Sequence, residues 1–257
     1  MYVSDVKGID LGRYVFGLSA IAFGVFAFVW RDFNIWQQIR PLELVAGREI
    51  LLYVIAVVEI LGGLAVLWPR TARAGAAALG AVYLFFALLW LPVYIEKPIY
   101  DNLGNFFEQF ALVSGALIVY ATAGPSGSPK AATLARIGYY GFAISVVSFT
   151  LEQAFYLHGT AAFVPKWIPP GQMFWAVATT VAFGLAAIAL LSGRYAWPAS
   201  QWLTLMIAGF GLLVWLPAPF AAPHSLTAWA GNAENSAICG AAWIVADYLG
   251  ALRSMNR

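Results

Sequence analysis

Residues 90–110 read WLPVYIEKPIYDNLGNFFEQF, and residues 215–236 read WLPAPFAAPHSLTAWAGNAENS. Each stretch opens on Trp-Leu-Pro, at Trp90 and at Trp215. Each then crosses a connection that is polar or rich in proline: Glu96, Lys97, Pro98, Asp101 and Asn102 in the first, Pro219, Pro223 and His224 in the second. Each reaches an asparagine, Asn105 or Asn232, that leads into a new apolar helix. This recurrence predicts two copies of one helical unit, with polar residues kept at the same helix mouth in both.

The surrounding composition sets the solvent. Of the 257 residues 62% are hydrophobic and 10% charged, whereas a soluble globular chain carries about 25% charged residues. So little charge on so much apolar sequence belongs in lipid. The net charge of +2 comes without a basic block, so nucleic acid is not an implied partner. One cysteine, Cys239, allows neither an internal disulfide nor a CxxC pair. Asp5, Lys7 and Asp10 before the first apolar run do not form the n-region of a cleavable signal, so that run is expected to be retained.

Eight apolar segments reach the roughly 20 residues a spanning helix needs; they lie near 11–30, 49–68, 73–94, 104–123, 135–156, 172–191, 199–217 and 232–250. They read as helices, because lipid offers backbone groups no water and spans this long do not fit barrel strands. The expected fold is an all-α integral membrane protein: eight transmembrane helices in two parallel-repeated four-helix bundles. Nine of the 14 basic residues (Lys7, Arg13, Arg70, Arg73, Lys130, Arg136, Arg194, Arg253 and Arg257) fall on the side of the N-terminus. The positive-inside rule then places both termini in the cytoplasm. The longer connections 31–48, 95–103, 157–171 and 218–231 face outward and carry Trp36, Trp167, Trp229, Pro169 and Pro170, residues suited to an interface belt or a lid.

The repeat extends beyond the opening stretches. Arg13 aligns with Arg136, Gly47 with Gly171, Leu61-Gly-Gly-Leu64 with Leu185-Ala-Ala-Ile188, and Arg70 with Arg194. The offset drifts only from 123 at Arg13 to 127 at Asn105. Each half begins on the same side, so the repeat is parallel rather than inverted. The units are residues 1–123 and 135–257, joined by a linker, 124–134, whose Gly124 to Pro129 is rich in turn residues. The small residues of Gly75 to Ala81 and of Gly184 to Ala189 read as packing.

Candidates for chemistry are polar residues kept where lipid makes them costly, at about 2.5–3.5 kcal/mol for a charge on insertion scales. Glu59 lies mid-span with nothing basic within a helical turn, and Phe183 holds its place in the second half. Asn105, Glu108 and Gln109 fall at i, i+3 and i+4, one helix face. Asn232, Asn235 and Ser236 repeat that pattern, with Glu234 off the face. Ser145, Ser148 and Glu152 share a face of the fifth segment beside Gln153. Two readings stay open. These groups cap helices and face headgroups, or they line an outer polar cavity with Glu59 as its floor. In the second reading Glu59, Glu108 and Glu152 are the catalytic candidates. Asn105, Gln109, Gln153, Asn232 and Asn235 are the ligand-binding ones.

Other chemistries have less support. His158 and His224 both sit near the outer surface, whereas a bis-histidine haem needs a facing pair inside the bundle. No Walker A, HExxH, EF-hand or GxGxxG stands in a fitting context. Neither haem nor metal is expected, a carboxyl–histidine metal site at the outer mouth being the weaker alternative.

The arrangement resembles the DoxX-like membrane proteins. The match rests on the arginine opening each half (Leu11-Gly-Arg13, Leu134-Ala-Arg136), on residues 163–171, FVPKWIPPG, and on the four-helix unit itself. It covers both halves, and is closer in the second. Members of that family are typically single four-helix units, whereas this chain reads as two fused. The resemblance implies a membrane subunit associated with redox chemistry, including the thiosulfate:quinone oxidoreductase type. The leading expectation is a subunit that binds a lipid-soluble molecule such as a quinone in the outer cavity, with carboxyls handling protons. The sequence carries no visible electron carrier, so another protein subunit would supply redox cofactors. The alternatives are a non-catalytic assembly or anchoring subunit and a transporter of small solutes or lipid, the latter weakened by the lack of clearly broken helices.

Overall fold

The computed structural model describes residues 11–33, 37, 47–124 and 128–255. Asp5, Lys7, Asp10, Trp36, Arg257 and residues 125–127 of the 124–134 linker, all read above from sequence, lie outside the described residues.

The described chain is helical, with no strand among the described residues. In order come α1 (Leu11–Trp30), α2 (Arg48–Leu67), α3 (Ala72–Glu96), α4 (Tyr100–Thr122), α5 (Pro129–Phe155) and the short α6 (Leu157–Phe163). Then follow α7 (Gln172–Ser192), α8 (Ala196–Phe210), a π-helical turn at Gly211–Trp215, α9 (Ala218–Ala221) and α10 (Leu226–Met255). Local chemistry explains several ends. Pro129 sits in the first turn of α5, where its missing N–H costs no bond. Gly193, at φ 71°, closes α7 in the left-handed conformation that glycine adopts without strain.

Among the described residues, seven helices are long and apolar enough to cross a membrane: α1, α2, α3, α4, α5, α7 and the run Ala196–Ala221. Their outward faces agree with that reading. Ile50, Leu61, Leu185, Ile188, Trp202 and Leu212 are all exposed, an apolar surface that water would not tolerate at this extent. The eighth expected span, 232–250, is helical within α10 but is not one of the seven. It carries Asn232, Glu234, Asn235 and Asp247, which lower its hydropathy. It is also a thoroughly buried helix, packed against α1, α4 and α8. A helix walled by protein does not need the apolar composition that lipid demands.

Neighbours follow one another round the bundle: α1 on α2, α2 on α3, α3 on α4, α4 on α5, α5 on α7, α7 on α8, α8 on α10, and α10 back on α1. Across this ring α4 packs on α10. Glycines set the closest approaches. A Cβ at Gly240 of α10 would lie 2.7 Å from the Phe16 nitrogen of α1, and one at Gly75 of α3 would lie 2.6 Å from the Gly62 oxygen of α2. Gly75, expected to serve packing, therefore lets two backbones meet.

The two ends of the bundle differ. At one end Arg13, Arg73, Arg136 and Arg253 each lie over an aromatic ring, of Tyr14, Tyr120, Tyr140 and Trp197 respectively. At the other, Trp30 Nε1 donates to the His224 carbonyl at 3.2 Å, and the Trp30 and Trp229 rings lie 6.5 Å apart. The start of α1 and the end of α10 thus share the arginine-bearing end.

Candidate functional site: a line of carboxyls through the bundle

Glu59 lies about 16 Å along α2 from Arg48, at 1.5 Å per residue. It is 1% exposed. Its Oε1 accepts from Gln37 Nε2 at 2.5 Å, and its Oε2 has no hydrogen-bond partner among the described residues. Gln37 belongs to the α1–α2 connection and is itself buried. Phe33 of the same connection packs edge-on to Phe86 of α3, with centroids 5.4 Å apart. An ion pair between Asp32 and Arg48 ties the two ends of the connection together. The connection therefore sends side chains into the core.

Tyr83 of α3 is fully buried with its ring edge on Phe16, and its hydroxyl lacks a partner among the described residues. It lies within electrostatic reach of both Glu59 and Glu234. Glu234 comes from α10 and is 3% exposed. Its Oε1 accepts from Gln109 Nε2 of α4 at 3.1 Å. The remaining oxygens of this pair, Gln109 Oε1 and Glu234 Oε2, are buried without a partner among the described residues.

Glu108 precedes Gln109 on α4. Its Oε2 is likewise buried without a partner among the described residues, and it lies within electrostatic reach of Glu152, Glu234 and Asp101. The Glu152 carboxyl of α5 occupies the space that a Cβ at Gly104 of α4 would fill. Only glycine at that position lets the carboxyl approach the α4 backbone. Asp101 is exposed at the mouth, and its backbone N–H donates to the Tyr156 hydroxyl at 3.2 Å.

Electrostatic neighbours thus run from Asp101 to Glu152, Glu108, Glu234 and Glu59, drawn from α2, α4, α5 and α10. Among the described residues no Lys, Arg or His forms an ion pair with any of these groups, and no three or more metal-ligating side chains gather round one point. The groups are strung out along the bundle rather than focused. Burying a polar oxygen without a partner costs about 1–3 kcal/mol. Five such oxygens occur in this line: one each on Glu59, Tyr83, Glu108, Gln109 and Glu234. A bundle that needed only stability would fill these positions with apolar side chains.

The other sequence candidates fall elsewhere. Asn105 turns back to the Asp101 carbonyl of its own helix at 2.7 Å. Gln153 Oε1 accepts from Thr180 at 3.1 Å and from Thr179 at 3.5 Å, both on α7. Asn235 donates to the Ile207 carbonyl of α8 at 3.1 Å, beside the π-helical turn. Asn232 is half-buried. Glu234, read from sequence as off the polar face, is a centre of the line, and Gln37 and Tyr83 join it. Glu234 carried a signal, an acid within an apolar helix. Gln37, in a connection, carried none. A groove of about 400 Å³ exists between α4 and α5, lined by Phe110, Thr133, Arg136, Ile137, Tyr140, Gly141 and Ile144, and none of the carboxyls lines it.

No family model matches this chain, and no curated protein or solved structure is significantly similar to it. The resemblance to DoxX-like proteins therefore rests on the quoted residues alone.

Proposed function

We propose that this chain is an integral membrane subunit of a redox-associated system, in which the line Glu152, Glu108, Glu234, Glu59 moves protons between one face of the membrane and a lipid-soluble molecule. Quinone is the class implied by the DoxX-like resemblance. The observation that carries the reading is the set of buried oxygens on Glu59, Tyr83, Gln109 and Glu234 that lack a partner among the described residues, in the middle of an apolar bundle. Ionisable groups kept inside a membrane at such cost serve transport of protons, ions or substrate. Converting a quinone to its quinol takes up two electrons and two protons. The carboxyls would handle the protons, and a partner subunit would bring the electrons.

The same proposal includes α10 as the eighth span, both termini in the cytoplasm, a bacterial inner membrane and an ancestral duplication. The duplication draws on the matched packing of the two halves: α1·α2 with α5·α7, α2·α3 with α7·α8, α3·α4 with α8·α10, and α4·α5 with α10·α1. In this scheme the halves share an architecture and divide the labour, since the position of Glu59 is held in the second half by Phe183, which packs on Phe149 and Phe210.

Binding of a short-chain benzoquinone to the purified protein, followed by tryptophan fluorescence, tests the reading. Glu59→Gln and Glu234→Gln are expected to weaken binding at least tenfold while Gln153→Ala leaves it unchanged. Equal binding in all three would remove the carboxyls from the function.

A second reading, an anchoring subunit for another protein, is favoured by Phe163, Trp167 and Phe220, which are 60%, 73% and 81% exposed in the connections at the mouth of the carboxyl line. Loss of a co-purifying protein on Trp167→Ala, with the carboxyl variants silent, would favour it. The transporter reading draws on the π-helical turn that interrupts α8 beside Asn235, since such turns recur at functional sites.

A further inference from the structure

The groove between α4 and α5 has a direction. Its α5 wall is Thr133, Arg136, Ile137, Tyr140, Gly141 and Ile144, a single helix face at i, i+3, i+4, i+7, i+8 and i+11. Thr133 and Arg136 stand at one end, and Gly141 and Ile144, with Phe110 of α4, at the other. From Thr133 to Ile144 the stripe runs about 16 Å along the helix. Gly141 keeps the floor low: a Cβ there would meet Ser114 Oγ at 2.6 Å and the Phe110 ring at 3.3 Å. Arg136 is exposed, and its guanidinium lies 5.7 Å from the Tyr140 ring. Among the described residues no carboxyl forms an ion pair with it. Lys130, one to two turns nearer the start of α5, adds charge of the same sign.

We propose that this groove binds one anionic phospholipid, its phosphate on Arg136 and one acyl chain along Ile137, Gly141, Ile144 and Phe110. Charge complementarity selects the occupant. An apolar trough that opens on a guanidinium with no carboxyl partner among the described residues, at the arginine-bearing end of the bundle, matches a negatively charged headgroup with its tail pointing toward mid-membrane. Tyr140 stiffens the arrangement by holding the guanidinium over its ring. The site is independent of the carboxyl line, because it shares no residue with it.

The test is native mass spectrometry of the full chain released from nanodiscs that hold equal amounts of phosphatidylglycerol and phosphatidylcholine. The wild type is expected to retain one phosphatidylglycerol about fivefold in preference to phosphatidylcholine, the scale of one basic side chain at a charged membrane surface. Arg136→Gln is expected to abolish the preference and Arg136→Lys to keep part of it. Ile144→Trp fills the trough at a position already 46% exposed, so it leaves the bundle packing alone and is expected to remove the retained lipid altogether. Equal retention of the two lipids by the wild type would overturn the proposal. So would a preference that survives Arg136→Gln, or a lipid that survives Ile144→Trp.

Discussion

At the scale of single residues, the bond from Gln109 to Glu234 joins the two central helices, α4 and α10, across the ring. Replacing Gln109 by Leu removes the donor and leaves Glu234 buried with no partner on either oxygen. The expected loss is about 1–3 kcal/mol, read as a lower unfolding temperature in detergent. Gln37 and Glu59 offer a sharper test, because their bond ties a connecting segment to the core. Gln37→Ala and Glu59→Leu in a double-mutant cycle are expected to couple by about 0.5–3 kcal/mol. Additivity would mean that the pair does not hold the connection in place.

At the scale of elements, small residues decide how near the helices come. Gly240→Ala places a Cβ against the Phe16 backbone of α1, whereas Gly209→Ala on α8 meets nothing within 4 Å. The first is expected to lose about 1–3 kcal/mol through overpacking. The second is expected to be neutral, or to gain up to about 1 kcal/mol of helix propensity. A denaturation series in mild detergent separates them. Elements were also where the sequence was most legible. The apolar runs match some helices nearly end to end, as with 11–30 for α1 and 172–191 for α7, because length and hydropathy are local properties, whereas α5 and α10 start six residues before the runs 135–156 and 232–250 and a π-helical turn interrupts the run 199–217. The site was legible only in part. Glu59, Glu108 and Glu152 stood out as acids in apolar runs, and all three belong to the line. Spacing puts Glu234 off the polar face of its own helix, yet α10 is enclosed by protein on several sides, so being off one face still leaves it inside. Asn105 and Gln153 looked like site residues but satisfy themselves on a helix turn and on α7, a choice fixed by neighbours that one-dimensional spacing does not contain. Gln37 reaches Glu59 from a connection, where no periodicity marks it.

At the scale of the whole molecule, the helices form a ring closed by α10 on α1 and bridged inside by α4 on α10. That closure buries Glu59 and Glu234 and puts the arginine ends of α1, α3, α5 and α10 on one rim. If α10 crosses the membrane as proposed, cysteines placed at Lys130 and Ser254 in a Cys239→Ala background will react with a membrane-impermeant thiol reagent from one side, and cysteines at Lys97 and Lys166 from the other. Labelling of Ser254 together with Lys97 would contradict eight spans. The central claim is that the enclosure holds a lipid-soluble molecule against Glu59 and Glu234. Its most direct test is gentle detergent extraction of the wild type and of the Glu59→Gln, Glu234→Gln double variant, followed by mass spectrometry of everything that remains bound. The account predicts one stoichiometric quinone-like molecule on the wild type and none on the variant, with both proteins equally folded. A wild type that carries no such molecule, or a variant that keeps it, would contradict the account.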